Sequence, residues 1–422
     1  MIVKRELLKD IMNWLNRDKV IVIKGARQVG KTTLLLSLKE ILESQQRKVI
    51  YIAADEYKES EIFKNANLFL KFIEYEYGVR KNMVLLIDEF QYIVDAGLFM
   101  KTLHDIVKRE GLKINIVASG SSSLEISRNS EFLTGRKIEF LLLPFSFYEY
   151  LSSDRRFTHK FHLYNEFKEI ADFYRIYRDE LNFRFVSYIR WGGYPEVALE
   201  NEKERRRVLL KEIISTYIEK DISGFLHVEN VSAFNNLVKL LCAQIGSLVN
   251  KSELSNTLNL HQKTITKYLN ILEGTFVFSF VTPFYTNIRK ELSKMPKVYV
   301  NDTGIYYHFY PQDSISFESI AGNVVENFVY NTLKTMKGID SILFYRTIAK
   351  SEVDFILKKG EVVIPVEVKF RSRVKKPVTM KHFQEKYKTK KGIIVTKNEI
   401  KKEGDTYFIP APMLGLIQNL IP

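Results

Sequence analysis

Between residues 20 and 145, short aliphatic runs alternate with stretches of helical period. Residues 20–23, 48–53, 84–87, 114–118 and 138–143 are almost continuously apolar. That is the pattern of strands covered on both faces, and the intervening segments space their apolar positions as helices do. The alternation predicts an α/β fold with a parallel sheet, preceded by a leading helix over residues 1–20. Residues 146–225 read as helices with no strand pattern. Aromatics recur there at helical spacing, at Phe161-His162-Leu163-Tyr164 and Phe173-Tyr174-Arg175-Ile176-Tyr177, and are expected to be core stripes. Three more helices are predicted over 234–248, 251–258 and 262–272, then a strand over 276–281. Asn250 reads as the cap of the second of these, with Glu253 three residues on. From residue 297 strands return, mixed with helices.

These changes of pattern divide the chain into an α/β core (1–145), a helical lid (146–228), a third module (229–290) and a second α/β domain (291–422). The third module, helix–turn–helix followed by a strand pair, resembles a winged helix. Its third helix would bury Ile265, Leu269 and Leu272 and expose Gln262, Lys263 and Lys267, which could contact DNA. Packing of this module against the core is the alternative. With 422 residues the chain exceeds one hydrophobic core. No run of eighteen apolar residues occurs, so no membrane partner is expected. The single cysteine, Cys242, excludes an intrachain disulfide framework and a cysteine-built zinc site, and fits a reducing, cytoplasmic setting.

Charge changes the picture at the C-terminal end. The net charge is +14, and Arg371 to Lys402 alone holds 12 basic and 2 acidic residues. A surface of that kind favours polyanions such as DNA, and a solvated lysine-rich face is the plain alternative.

The clearest chemistry lies at residues 25–32, Gly-Ala-Arg-Gln-Val-Gly-Lys-Thr, a complete phosphate-binding loop between a predicted strand and a predicted helix. Backbone amides of Gly25, Ala26, Arg27, Gln28, Val29, Gly30, Lys31, Thr32 and Thr33 would cradle ATP phosphates at a helix N-terminus. Lys31 would reach the β- and γ-phosphates, and the Thr32 hydroxyl would complete a Mg²⁺ shell. Downstream, Met83-Val84-Leu85-Leu86-Ile87-Asp88-Glu89 runs four aliphatics into two carboxylates. Asp88 would hold Mg²⁺ through water, and Glu89 would orient or deprotonate the attacking water.

Four segments carry a resemblance that spans essentially the whole chain. Lys24-Gly25-Ala26-Arg27-Gln28-Val29-Gly30-Lys31-Thr32, Ile87-Asp88-Glu89-Phe90-Gln91, residues 142–150 (Leu-Leu-Pro-Phe-Ser-Phe-Tyr-Glu-Tyr) and Trp191-Gly192-Gly193-Tyr194-Pro195-Glu196 resemble a family of archaeal and bacterial AAA+ ATPases. That family carries a C-terminal domain similar to restriction endonucleases. The resemblance implies a sensor at Ser119 or Ser121, beside the γ-phosphate. It implies an arginine finger at Arg136, which would make the protein a homo-oligomer. It also implies a lid contact to nucleotide at Pro195. An ordinary surface or cap role is the alternative for Arg136. Asp221 fits the family pattern without an evident chemical role.

In the last domain, residues 351–357 and 362–370 read as two strands joined by Lys358-Lys359-Gly360-Glu361. A turn flanked by Lys358 and Glu361 sets Asp354 opposite Pro365, and leaves Asp354, Glu367 and Lys369 on one face, the two carboxylates diagonal to each other. This resembles the D-x(n)-E-x-K pattern of PD-(D/E)xK nucleases. Asp354 and Glu367 would hold Mg²⁺ or Mn²⁺, Glu326 on the preceding helix would be an accessory ligand, and Lys369 would steady developing charge. The alternative is a nuclease-like fold whose charges pair with each other and whose task is binding. The combined expectation is an AAA+ P-loop ATPase coupled to a DNA-binding C-terminal half, with cleavage left open against a regulatory switch.

Overall fold

The computed structural model describes residues 3–57, 60–121, 135–154, 163–217, 228, 230–285, 294–347 and 349–417. Phe161-His162, Ser122 and Asp221 lie outside the described residues. The chain forms two compact units. The first comprises Met1–Pro144 with Gly274–Phe276, and the second Phe145–Glu273 with Val277–Pro422.

In the first unit, α1 (Leu7–Trp14) precedes β1 (Val20–Lys24), α2 (Lys31–Ser44), β2 (Lys48–Ala53), α3 (Ala66–Tyr77), β3 (Met83–Asp88), α4 (Ala96–Arg109), β4 (Ile114–Gly120) and β5 (Lys137–Leu141). The five strands form one sheet in the order β2-β3-β4-β1-β5, every pairing parallel. Parallel neighbours need crossovers, and helices supply them, so both faces are covered and strands such as β1 and β3 are apolar without alternation. Ile21, Val22 and Ile23 are at most 1% exposed, each side chain contributing about 1.5–3 kcal/mol by burial. Asn65 caps α3 by accepting from the amides of Asn67 and Leu68, and Gly78 at φ +66 ends it. Chain order and spatial order differ in one decisive place. The crossover from β3 returns β4 to the slot between β3 and β1, so the ends of all three strands lie side by side.

The second unit opens with α5 (Phe147–Ser152), whose N-terminus is closed by a Ser146/Glu149 capping box. Then come α6 (Phe167–Trp191), α7 (Pro195–Leu199), α8 (Lys203–Thr216), α9 (Val231–Ala243), α10 (Lys251–Leu258) and α11 (Gln262–Gly274). Asn250 accepts from the amides of Ser252 and Glu253 and so starts α10. In α11, Ile265, Leu269 and Leu272 are buried. Helix α9 begins earlier and ends earlier than the 234–248 expected, because Asn230 caps it at Ala233 and the chain turns through Gly246 at φ +77.

Strand β6 (Phe278–Val281) pairs antiparallel with β7 (Lys297–Val300). The partner strand lies beyond residue 290, so the third module and the last domain are joined by a ladder that the expected boundary would cut. After α12 (Thr303–Phe309) come α13 (Gly322–Thr335), β8 (Ser341–Arg346), β9 (Glu352–Lys359), β10 (Val362–Lys369), α14 (Val378–Tyr387), β11 (Gly392–Thr396), β12 (Lys401–Glu403), β13 (Thr406–Pro410) and α15 (Ala411–Leu414). Six strands make a mixed sheet in the order β12-β13-β11-β10-β9-β8. Helices α5, α6 and α13 share one aromatic core. Phe185 lies 4.8 Å from Phe328 and 5.8 Å from Phe147, edge to face in both cases.

The β9/β10 register corrects one expectation. Lys359 pairs with Val362, Lys358 with Val363 and Pro365 with Ile356, not with Asp354. The turn is therefore two residues, Gly360-Glu361, with Gly360 at φ +56, the left-handed value that primed turns require. Continued one step beyond Val366–Phe355, the ladder sets Asp354 directly across from Glu367. The shift is two residues, so the side chains keep their shared face.

Candidate functional sites

The first site sits where β1, β3 and β4 end. Gly25 follows β1 at a point where a Cβ would stand 2.3 Å from the Leu142 carbonyl oxygen, so only glycine fits. Gln28 at φ +61 and Gly30 at φ +93 turn the loop through left-handed conformations into α2. No side chain caps the N-terminus of that helix, which leaves its first amides to the loop's concave side. The Lys31 ammonium, 4% exposed, donates to the carbonyls of Gly25 at 3.1 Å and Ala26 at 2.9 Å. Those are contacts that a phosphate oxygen could replace.

Asp88 ends β3 and is 2% exposed. Its carboxylate accepts from Tyr51 Oη at 2.9 Å, from the Glu89 amide at 3.0 Å and from Ser119 Oγ. The registers Ile23–Ser119 and Ile87–Ala118 explain the meeting, since β4 carries Ser119 between the P-loop strand and the Asp88 strand. Burial and then the Asp88 charge push the Tyr51 hydroxyl well above its ordinary pKa, so it remains a donor. Glu89 adopts φ +50, ψ +42, a conformation costly for a side chain of its size. Ser121 Oγ lies 3.2 Å from Glu89 Oε2, and Gln91 Nε2 also donates to that oxygen. Among the described residues no ammonium or guanidinium pairs with Asp88 or Glu89. Lys31, Thr32, Asp88, Glu89, Ser119 and Ser121 thus lie at the ends of three adjacent strands.

Arg136 is placed differently. Its Nε donates to Asp105 Oδ1 on α4 at 2.9 Å, with both side chains over a third exposed. Burial would raise Asp105, but Arg136 outweighs it and holds the carboxyl below its usual range. Pro195 opens α7 in the second unit, after the tight Gly192-Gly193 turn.

That turn rests on Asp302, which the sequence reading did not single out. The carboxylate of Asp302 accepts from the amides of Gly193 at 2.6 Å and Gly304 at 2.8 Å. A Cβ on Gly192, itself at φ +75, would fall 1.9 Å from Asp302 Oδ1. Burial pushes Asp302 up to about 6 in spite of its four backbone donors. The signal was present in Asn301-Asp302-Thr303-Gly304, which reads as a helix cap; its long-range partner was not.

The second site lies on the mixed sheet. Asp354 Oδ2 accepts from the Val368 amide at 2.7 Å, and Glu367 Oε2 lies 3.4 Å from the Asp354 amide. Lys369 Nζ is 2.5 Å from Glu367 Oε1. Glu326 on α13 accepts from Tyr299 Oη at 2.6 Å and from Lys297 Nζ at 3.0 Å. Lys297 also pairs with Glu352 and is 2% exposed. Burial and then Asp354 push Glu326 and Glu367 each up to about 7, while Lys297 and Lys369 pull their respective partners down.

A divalent ion held jointly by Glu326, Asp354 and Glu367 does not fit this arrangement. Among the described residues no group of three or more histidine, cysteine or carboxylate side chains is disposed to hold a metal. The reason is visible in the partners. One oxygen each of Glu326 and Glu367 meets an ammonium group, and Asp354 accepts from backbone. Sequence reading missed Lys297 and Tyr299, although Lys297-Val298-Tyr299-Val300 alternates two polar-tipped residues onto one face of an otherwise apolar strand.

The segment that carries the first of these sites matches a known family. Residues 17–151 match the family described as "AAA domain" and carry the P-loop and the parallel sheet. Residues 182–316 and 321–414 match two families described only as domains of unknown function, DUF8612 and DUF4143. An uncharacterized protein of Haemophilus influenzae is 25% identical over 88% of this chain and 87% of its own length. One from Methanocaldococcus jannaschii is 24% identical over 83% and 74%. Among solved structures, the Aeropyrum pernix ORC1 protein in complex with DNA covers 73% of this chain and 93% of its own at 12% identity, with a TM-score of 0.31. No helix among the described residues is long and apolar enough to cross a membrane.

Proposed function

We propose that the chain is an ATPase that binds and hydrolyses ATP with Mg²⁺, and that its nucleotide state governs a polyanion-binding C-terminal half. The observation that carries the first part is the convergence of the P-loop, Asp88, Glu89 and Ser119 at three adjacent strand ends. The donor set fits a hard cation: the Thr32 hydroxyl and the Asp88 carboxylate are oxygen ligands at the edge of a phosphate cradle, and the Asp88 contacts among the described residues come from hydroxyls and an amide. Bound there, Mg²⁺ would neutralise charge on the terminal phosphates. Lys31 would exchange its loop carbonyls for phosphate oxygens. Glu89 would orient the attacking water and accept its proton, and Ser121 would hold the Glu89 carboxylate in place. Ser119 would position Asp88 and so act beside the γ-phosphate. Phosphate release measured for the wild type, Lys31→Ala and Glu89→Gln tests this reading. Turnover unchanged in both variants would sink it.

For the C-terminal half, DNA is the partner that the charge supports best, through the 12 basic residues between Arg371 and Lys402. The lysine pairs at Glu326 and Glu367 favour binding over cleavage. Plasmid nicking with Mg²⁺ or Mn²⁺, alongside Asp354→Ala, decides between them. Asp354-dependent nicking would establish a nuclease.

A further inference from the structure

Lys297 is the most deeply buried ammonium of the acidic cluster, and it reaches that cluster from outside the sheet that carries it. It begins β7, whose ladder partner is β6, whereas Asp354 and Glu367 stand on β9 and β10 and Glu326 on α13. Its Nζ lies 3.0 Å from Glu326 Oε1, contacts Glu352 Oε1, and sits 5.6 Å from the Phe344 ring centre. Tyr299, two residues on and therefore on the same face, donates to the same Glu326 oxygen. Lys369 pairs with Glu367. An ammonium stripped of water in this way is tolerable only where carboxylates replace its hydration, and carboxylates packed this closely need a cation in return.

We infer that Lys297 takes the place of a metal ion in this cluster: the β6/β7 hairpin supplies an internal cation that offsets part of the carboxylate charge, occupies their oxygens and keeps divalent ions out. The cluster is then a metal-independent tie between the hairpin, α13 and the β9/β10 pair. Its metal affinity is set by a residue that the D-x(n)-E-x-K pattern does not contain. The inference deepens the binding reading above. Failure of DNA binding would sink that reading without touching this one, because occupancy by a metal is measured separately.

The test uses the full chain without nucleotide and Tb³⁺ as the probe, excited through neighbouring tyrosines such as Tyr299. Asp354→Asn is subtracted in each background to isolate the cluster. The wild type should show no Asp354-dependent emission, and Lys297→Met should acquire it, with at least about tenfold tighter apparent binding that Mg²⁺ competes away. Asp354-dependent emission from the wild type at the same Tb³⁺ concentrations would overturn the inference. So would a folded Lys297→Met protein, verified by circular dichroism, that gains none. Should Lys297→Met not fold, Lys297→Gln replaces it, and the wild-type arm still decides.

Discussion

The two acidic sites of this protein are built on opposite plans. Asp88 and Glu89 are held by hydroxyls, an amide and a carboxamide, beside a helix N-terminus that no side chain caps. Glu326, Glu352 and Glu367 carry their own counter-ions, Lys297 and Lys369. The first arrangement has donors and acceptors positioned for a charged ligand that brings its own cation. The second already holds two ammonium groups among its carboxylates. Paired carboxylates at a strand end are therefore an incomplete signature, and what decides their chemistry is whether a protein cation reaches them.

The largest effect is expected at the P-loop. Lys31→Ala should abolish ATP turnover, and Glu89→Gln should lower it by about 10²–10³-fold while nucleotide binding persists. Phosphate-release kinetics beside equilibrium binding of a fluorescent ATP analogue separate the two effects. Next in size is the turn at Gly192. Gly192→Ala would force a Cβ into Asp302 at a left-handed φ and should destabilise the second unit by about 3 kcal/mol or more, read as a lower denaturation midpoint in that unit.

Asp302 also sharpens the contrast through pH. Its folded-state pKa is raised from 3.8 to about 6. The stability it contributes is therefore fully present below about pH 4 and is lost as pH rises through 6. The difference between wild type and Asp302→Asn should fall by about 2–3 kcal/mol across that window, and a flat difference curve would exclude this burial effect. The smallest effect belongs to Arg136→Ala. Its pair with Asp105 is exposed at both ends, worth at most about 1 kcal/mol, so turnover should stay within about twofold. A loss of a hundredfold or more, dependent on protein concentration, would instead make Arg136 a finger reaching a second copy.

Much of the first unit was legible in the sequence because its signals are local. Aliphatic runs of four to six residues mark strands buried on both faces, and the P-loop is contiguous. The β9/β10 hairpin was nearly legible. Gly360 was recognised as part of the turn, but only its left-handed φ shows that the turn has two residues, which moves Asp354 from opposite Pro365 to opposite Glu367. Lys297 and Asp302 were not legible as site residues, since each meets its partners across 29 and 109 positions. Pairing of that range depends on the packing of whole elements. The third module's boundary failed for the same reason, its second strand lying across an interval that carries no local marker.

The most direct test of the contrast is Mn²⁺ stoichiometry by electron paramagnetic resonance, with and without a non-hydrolysable ATP analogue. One tightly bound Mn²⁺ per chain is expected only when nucleotide is present, lost in Lys31→Ala and unaffected by Asp354→Ala. Tight Mn²⁺ binding without nucleotide that disappears in Asp354→Ala would contradict it.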